Sequence, residues 1–205
     1  MGFYHHCVFP HLLDAAMTNR VLREPRARTL AAARGRILEI GFGTGANLPH
    51  YPPGVERIEA LDPDAELDRF SQPRIAKAKI AVDFHHLNAE RLPLRSNQFD
   101  TVVCTLTLCS IPDVEHALRE VRRLLKPGGQ LLFLEHGLSP EPGVARWQHW
   151  LTPLQRRIGG GCHLDRDTLS LLNTAGLQMR EARQYYLARV PRFLGYMTEG
   201  SAFKA

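Results

Sequence analysis

The sequence has few cysteines and no long apolar run, and both absences narrow the class of protein. Cys7, Cys104, Cys109 and Cys162 form no CxxC pair, so we expect reduced thiols rather than a disulfide framework. No stretch approaches the roughly eighteen uninterrupted apolar residues of a membrane span. The first residues also lack the basic and apolar regions of a signal peptide. We therefore expect a cytoplasmic protein with no integral membrane association.

Nucleic-acid-binding features are also scarce. The formal net charge of +5 permits anionic partners without requiring them. The basic residues crowd the first third of the chain, but no interleaved aromatics or RNA-binding module accompany them. We therefore predict a solvated helix face and no nucleic-acid partner. The arginines concerned are Arg20, Arg23, Arg26, Arg28, Arg34 and Arg36.

Apolar runs and helical patterns alternate along the chain. Its 205 residues suit a single domain. The helix with the clearest periodicity covers residues 114–126, with Asp113 as N-cap. The first 30 residues are also predicted to be helical, with Leu12, Leu13, Ala16 and Met17 on one side. Such alternation predicts a parallel sheet with helices on both faces. The predicted strands are 36–40, 57–61, 81–87, 99–108 and 129–136, followed by two strands within "QYYLARV" and "FLGYMTEGSAF".

A glycine-rich stretch, "LEIGFGTGANLP" at residues 38–49, follows the first predicted strand. Its glycines loosely fit a dinucleotide fingerprint, with Asp62 about 20 residues further on. Two features argue against a dinucleotide: Glu39 would repel a pyrophosphate, and Gly45 gives a tighter Gly-x-Gly-x-Gly spacing. The chain also has no Gly-Lys-Ser/Thr, which excludes a P-loop. A cofactor with a cationic centre and an amino group suits Glu39 better.

Three further motifs follow in order: "LDPD" at 61–64, "NAERLPL" at 88–94 and "LLKPGG" at 124–129. With the glycine loop, they resemble the class I S-adenosylmethionine-dependent methyltransferases over residues 36 to about 136. The resemblance implies a Rossmann-like α/β fold, with a mostly parallel seven-stranded sheet whose last strand is antiparallel. It also implies S-adenosylmethionine as cofactor. The single domain, 1–205, would comprise a helical lid (1–30), a cofactor-binding core (36–136) and a substrate-side region with the final strands (137–205).

The resemblance assigns roles to individual residues. The glycines would let the backbone approach the methionyl part of the cofactor, whose amino group Glu39 would reach. Asp62 would accept hydrogen bonds from the ribose hydroxyls. Asn88, where the family usually has Asp, would face the adenine amino group. The implied cofactor-binding residues are Glu39, Gly41, Phe42, Gly43, Gly45, Asp62, Pro63, Asn88, Ala89, Thr105 and Leu106, the last two beside the sulfonium.

A narrower resemblance lies partly outside the cofactor motifs. "GANLPHYPPGV", "VVCTLTLCSIPD", "LREVRRLLKPGG", "FLEHG" and "GGCHLDRDT" are similar to the methyltransferase-like family of alkyl thiol methyltransferases and its soluble bacterial relatives. The animal members are membrane-associated through a long apolar N-terminal segment that this sequence lacks. The resemblance implies S-methylation of a small thiol. Two alternatives stay open: O-, N- or C-methylation of a lipid, quinone or other metabolite, and an inactive cofactor-binding partner protein. The oligomeric state also stays open.

Methyl transfer from a sulfonium requires alignment, exclusion of water and a deprotonated nucleophile, and we expect no metal. His136, directly after the fifth predicted strand, is the first candidate for the base, and His163 is the second. Tyr4 and His5 are third candidates and would line the acceptor site. Cys109 and Cys162 are expected beside the acceptor as wall residues. The cysteines and the ten histidines show no finger-like spacing, which disfavours a zinc site.

Overall fold

A computed structural model describes residues 2–204, which form a seven-stranded sheet in the order β3-β2-β1-β4-β5-β7-β6. Strands β1 to β5 are parallel, and β7 runs antiparallel to both β5 and β6. The predicted Rossmann-like fold with its antiparallel last strand is therefore confirmed. The strands are β1 (Ile37–Ile40), β2 (Arg57–Leu61), β3 (Ala81–His85), β4 (Phe99–Thr105), β5 (Leu125–His136), β6 (Gln178–Tyr186) and β7 (Tyr196–Phe203).

Helices pack on both faces of this sheet, so the apolar core has two halves. One half joins β1, β4 and β5 to α4 and α6, through side chains such as Leu118 and Leu172. The other joins the opposite face to the end of α2 and the loop after β1. The helices are α1 (Phe9–Met17), α2 (Arg23–Leu30), α3 (Asp68–Lys77), α4 (Val114–Leu124), α5 (Pro142–Ile158), α6 (Thr168–Thr174) and α7 (Arg192–Gly195).

Helix α4 shows how the sequence encodes this packing. Asp113 caps it as predicted, because its carboxylate accepts a hydrogen bond of 2.9 Å from the His116 N–H. Ala117, Leu118 and Val121 recur at helical spacing and are at most 1% exposed. The helix ends at Leu124, two residues earlier than predicted.

Two strand boundaries differ from the sequence prediction. Strand β5 already begins at Leu125, so the Lys-Pro-Gly-Gly segment is a bulged start of the strand rather than a separate turn. Strand β6 covers Gln178–Tyr186, whereas "QYYLARV" covers 184–190. This strand lies at the sheet edge and is mostly exposed, so it carries arginine and glutamate instead of an apolar run.

The N-terminal segment is helical as predicted, with a π-helical turn at Tyr4–Val8 followed by α1. The predicted apolar face is only partly correct, because Leu12 and Ala16 are exposed while Leu13 and Met17 are half-buried. Nowhere in residues 2–204 is a helix both long enough and apolar enough to span a bilayer.

Candidate active site

The glycine loop leaves β1 at the carboxyl edge of the sheet, where ligands bind in open α/β sheets. The N–H groups of Gly41 and Phe42 both donate to the Leu61 carbonyl, at 2.9 and 3.0 Å. Gly41 has a φ of +73°, and a Cβ there would lie 2.2 Å from the Thr107 side chain. Only glycine fits this turn, which leaves the backbone bare at the mouth of a cavity.

This cavity has a volume of about 530 Å³. Ten of the eleven cofactor-binding residues implied by the sequence line it, together with side chains from the N-terminal segment. The exception is Gly45, where a Cβ would lie 3.3 Å from the Phe42 ring. Gly45 therefore shapes the loop from behind. The ten that line the cavity are Glu39, Gly41, Phe42, Gly43, Asp62, Pro63, Asn88, Ala89, Thr105 and Leu106.

Glu39 is a buried carboxylate at the inner end of the cavity, only 1% exposed. One oxygen accepts from the Tyr51 hydroxyl at 2.6 Å, and the other accepts from the Asn47 amide at 2.9 Å. Burial raises the Glu39 pKa to about 7, although these two donors and Arg26 oppose the shift. The carboxylate is thus poised to ionise when a cation arrives.

For Arg26 the prediction of a solvated helix face was wrong. Its side chain is only 3% exposed and lines the cavity. Its Nη1 donates to Asn47 Oδ1 at 2.5 Å and to Thr105 Oγ1 at 3.0 Å, and its Nη2 donates to the Met17 carbonyl at 3.3 Å. Its Nε is buried and has no hydrogen-bond partner among residues 2–204. A buried guanidinium with a free donor needs an anion or a strong acceptor. Sequence reasoning missed this residue because α2 as a whole is polar and basic.

Asp62 follows β2 and is 7% exposed. Its Oδ2 accepts from the Gly43 N–H at 2.7 Å, and its Oδ1 accepts from the Asp64 N–H at 2.9 Å. Burial raises the Asp62 pKa, and these two backbone donors oppose the rise. Each oxygen keeps a second lone pair, so the carboxylate can still accept hydrogen bonds from a pair of hydroxyls.

Asn88 and Ala89 form the outer wall next to Asp62. Asn88 is exposed, and its Oδ1 accepts from the Glu90 N–H at 3.0 Å. Ala89 and Phe42 are buried residues of the cavity lining, and the Phe42 ring packs against Phe84 with centroids 5.5 Å apart. These residues form a largely apolar slot with an amide at its edge, which suits a flat heteroaromatic ring.

The loop after β4 closes the middle of the cavity. Leu106 has a φ of +55°, a left-handed conformation that is rare for a branched side chain. Glu135 holds this turn from behind, because its Oε1 accepts from the N–H groups of Thr107 and Leu108 at 2.9 and 3.0 Å. Burial raises the Glu135 pKa to about 8. Thr105 Oγ1 accepts from Arg26 and from Asn47, which ties this loop to the inner end of the cavity.

The N-terminal segment lies across the cavity. His5, Phe9, Leu13 and Met17 contribute to the lining. Tyr4, which the sequence assigned to the acceptor site, does not line the cavity: its hydroxyl donates to the Ile158 carbonyl at 2.8 Å.

An ion pair fastens the same segment at its other end. Asp14 of α1 pairs with Arg74 of α3 at 2.5 Å, and Arg74 also donates to the Thr44 carbonyl at 2.7 Å. The segment is therefore held on two sides of the cavity.

The two main candidates for the base lie outside the cavity lining. His136 Nε2 is 3.1 Å from Cys162 Sγ. Burial alone would lower the His136 pKa, but the charge of Cys109 and its hydrogen bond outweigh burial, and the pKa is raised. The hydrogen bond from Cys162 lowers the Cys109 pKa despite burial. His163 lies beside Cys109, His136 and Cys162, and its backbone N–H donates to the Cys109 carbonyl at 2.8 Å. Of the histidines assigned from sequence, His5 is the one that lines the cavity.

The cavity therefore presents a cation and an anion at its inner end, a second carboxylate partway along and an apolar slot beyond. With the free Arg26 Nε and the bare backbone at Gly41, these groups are complementary in charge and polarity to a zwitterion that bears a ribose and an aromatic ring. Fold and cavity together define the class of S-adenosylmethionine-dependent methyltransferases.

Comparison with known proteins shows which methyltransferases this chain is similar to. A family profile described as "Methyltransferase domain" matches residues 38–133. The human thiol S-methyltransferase TMT1B is 36% identical over 188 residues, covering 82% of this chain and 74% of the human protein. The rat TMT1B is 40% identical over 142 residues, covering 64% of this chain and 55% of the rat protein. A SAM-dependent methyltransferase from Thermotoga maritima superposes with a TM-score of 0.69 at 19% identity, covering 98% of each chain.

The chain belongs to the S-adenosylmethionine-dependent methyltransferases, in the family that includes these thiol S-methyltransferases. It spans between about half and three quarters of the length of the TMT1B proteins that it matches.

Proposed function

We propose that this protein transfers the methyl group of S-adenosylmethionine to the sulfur of a small, neutral thiol. The observation that carries the proposal is the charge pattern of the cavity. Its inner end holds Arg26 and Glu39, and its other carboxylates are Asp62, Asp64 and Glu66, of which Glu66 is already paired with His6 at 2.8 Å. The lining from α1, from residues 110–112 and from residues 159–160 contributes no carboxylate. A cationic amine acceptor would need such a carboxylate. The names of the TMT1B relatives support the same choice.

The proposed cofactor contacts follow the polarity of the cavity. The Arg26 guanidinium holds the carboxylate of the methionyl group, and Glu39 faces its ammonium. Asp62 accepts from the two ribose hydroxyls, for which it keeps one lone pair on each oxygen. Asn88 and the backbone of Ala89 meet the edge of the adenine ring. Thr105 and Leu106 then stand beside the sulfonium.

The bound cofactor supplies an electrophilic methyl group on a positively charged sulfur. An acceptor thiolate would take this methyl group, and the sulfonium sulfur would keep the electron pair of the broken carbon–sulfur bond. The N-terminal segment excludes water from this step and holds the acceptor in line. A thiol with a pKa near 8.5 needs only a modest base. We assign this role to the His5 imidazole because it lines the cavity.

The state of the cysteines indicates a reducing compartment. The four cysteines are all free thiols, as expected in a reducing environment. We propose that the protein acts in the cytoplasm.

The test is a turnover assay with S-adenosylmethionine and a panel of acceptors: aliphatic thiols, primary amines and phenols. We expect thiol methylation, with a rate that rises as pH approaches the acceptor's pKa. Activity on amines or phenols alone would show that the acceptor class is wrong while the methyltransferase class stands. Tight cofactor binding with no turnover on any acceptor would favour the cofactor-binding partner protein instead.

A further inference from the structure

Three potential metal ligands meet behind the acceptor end of the cavity. Cys109 lies in the loop after β4, His136 is the last residue of β5, and Cys162 lies in the loop after α5. One ligand atom from each lies within 4.8 Å of the other two. Both cysteines are buried, at 4% and 8% exposure. Their separation along the chain explains why no spacing motif predicted this cluster.

Hydrogen bonds within the cluster of Cys109, His136 and Cys162 are few and weak. Thiols are weak hydrogen-bond donors, and the 3.1 Å contact from His136 Nε2 to Cys162 engages one ring nitrogen. The other nitrogen, Nδ1, is buried without a partner among the described residues. A metal ion between the three side chains would replace these weak contacts with coordinate bonds through Nε2 and the two sulfurs.

The spacing and the donor types both suit zinc. Zn–S bonds of about 2.3 Å and Zn–N bonds of about 2.0 Å place tetrahedral ligand atoms about 3.5–3.8 Å apart. In the structure His136 Nε2 lies 3.1 Å from Cys162 Sγ, and one ligand atom from each of the three residues lies within 4.8 Å of the others. Two thiolates and an imidazole select a borderline-soft cation over magnesium or calcium. Two thiolates also neutralise the charge of Zn²⁺, which removes the cost of burying an isolated ion.

We propose that Cys109, His136 and Cys162 bind one Zn²⁺ ion whose fourth coordination position accepts the acceptor thiolate. Three protein ligands with one open position are typical of catalytic zinc sites. The cluster adjoins the cavity through Ser110, which lines it and whose Oγ is 3.5 Å from Cys109 Sγ. Gly160, two residues before Cys162, lines it as well.

The second half of this inference rests on the proposed function. On coordination the acceptor thiol would give up its proton to His5, which lines the cavity. The zinc-bound sulfur would then take the methyl group as the carbon–sulfur bond of the sulfonium breaks, and the neutral thioether would leave the ion. In this arrangement His136 acts as a zinc ligand rather than as the base, and zinc binding lowers the demand on His5.

The first experiment measures zinc in the full chain, purified without a polyhistidine tag and dialysed. We expect about one zinc per chain in the wild type and less than a tenth of that in the double variant Cys109→Ser, Cys162→Ser. The variant Cys7→Ser, which removes an exposed cysteine, should retain the ion. Calorimetric binding of the demethylated cofactor reports whether each variant is folded. A folded wild type that takes up no zinc from micromolar solution, or that carries a Cys109–Cys162 disulfide, overturns the proposal.

The second experiment replaces zinc with cobalt, whose thiolate charge-transfer and ligand-field bands report coordination. We expect both bands, and a shift of the ligand-field bands when an acceptor thiol is added. If the ligand-field bands do not shift when the thiol is added, the acceptor thiolate is not the fourth ligand. The chelator-treated enzyme separates this inference from the proposed function. If it methylates thiols at the full rate, the zinc role is wrong but the activity stands.

Discussion

The Arg26 guanidinium and the Glu39 carboxylate are joined through a single amide. Asn47 accepts from Arg26 at 2.5 Å and donates to Glu39 at 2.9 Å. Opposite charges thus stand at the inner end of the cavity without forming a direct salt bridge. Because neither charge neutralises the other by contact, each remains available to one end of an amino-acid zwitterion.

Asp62 should carry much of the cofactor affinity. Charge-assisted hydrogen bonds are worth about 1.5–3 kcal/mol each, and the proposed contact supplies two. The variant Asp62→Ala should therefore bind the demethylated cofactor at least tenfold more weakly by calorimetry. Asp83→Ala on the edge strand β3 is the matched control and should bind normally. Unchanged affinity in folded Asp62→Ala would remove the ribose assignment, and micromolar binding of NADH would restore the dinucleotide interpretation.

Arg26 should recognise the carboxylate of the cofactor. Lysine keeps the charge but loses the planar fork of donors, so Arg26→Lys should weaken binding of the demethylated cofactor by about tenfold. An analogue that lacks the carboxylate should bind wild type and variant equally. Arg23→Lys, at an exposed position of the same helix, serves as control. Equal losses for both ligands would mean that Arg26 only supports Asn47 and Thr105.

Cofactor affinity should decrease as pH falls below about 7. Burial raises the Glu39 pKa to about 7 in the free protein, so below that pH the carboxyl is mostly protonated. The cationic cofactor binds the ionised form, and each further pH unit should weaken binding by up to about tenfold. The variant Glu39→Gln should bind the cofactor more weakly than wild type at pH 8, and its affinity should not change with pH.

Other ionisable groups adjoin Glu39, namely Arg26, Asp62 and the neutral Tyr51 hydroxyl. Among these, Asp62 could also titrate on the acid side, because its pKa is raised. A slope that persists in Glu39→Gln would therefore assign the proton to Asp62. Calorimetry across a series of buffers with different ionisation enthalpies measures the proton release directly.

The segment before α2 should act as the cover of the acceptor site. Deleting residues 1–16 removes the lining from His5 to Leu13 but leaves in place Met17, whose carbonyl accepts from Arg26, and the buried Leu22. Methyl transfer should fall by at least a hundredfold, since water enters the site, while cofactor affinity should stay within a few-fold. The variant Asp14→Asn, which weakens the ion pair to Arg74, should show an intermediate loss. Failure of the truncated chain to fold would place the segment in the core.

His5 should assist the acceptor thiol. His5→Ala should lower turnover on a thiol by about tenfold, below the usual range for general bases, because the thiol itself ionises readily. The loss should shrink as pH approaches the acceptor's pKa. His11→Ala, on the same segment but outside the cavity lining, should behave as wild type. A pH-independent loss in His5→Ala would indicate a packing role instead.

The sequence alone determined the fold and most of the residues that line the candidate site. Apolar strands alternating with an amphipathic helix are local patterns, and they specify a parallel sheet because each element can bury its apolar face in only a few ways. Glu39, the glycines and Asp62 lie at strand ends, so their convergence on one edge follows from the parallel order. The sequence pattern did not locate strand β6 correctly, because an exposed edge strand has no alternation of apolar and polar residues.

Only the tertiary structure decided which distant residues meet. Arg26 belongs to a polar helix, and nothing near it in sequence shows that its side chain is buried against Asn47 and Thr105. Cys109, His136 and Cys162 come from three segments that the sheet order brings together, so no spacing rule can detect them. The pKa of Glu39 likewise depends on its burial and on Tyr51, which are properties of packing. A chain's local pattern fixes its elements, whereas charge, burial and ligand geometry arise from contacts between elements.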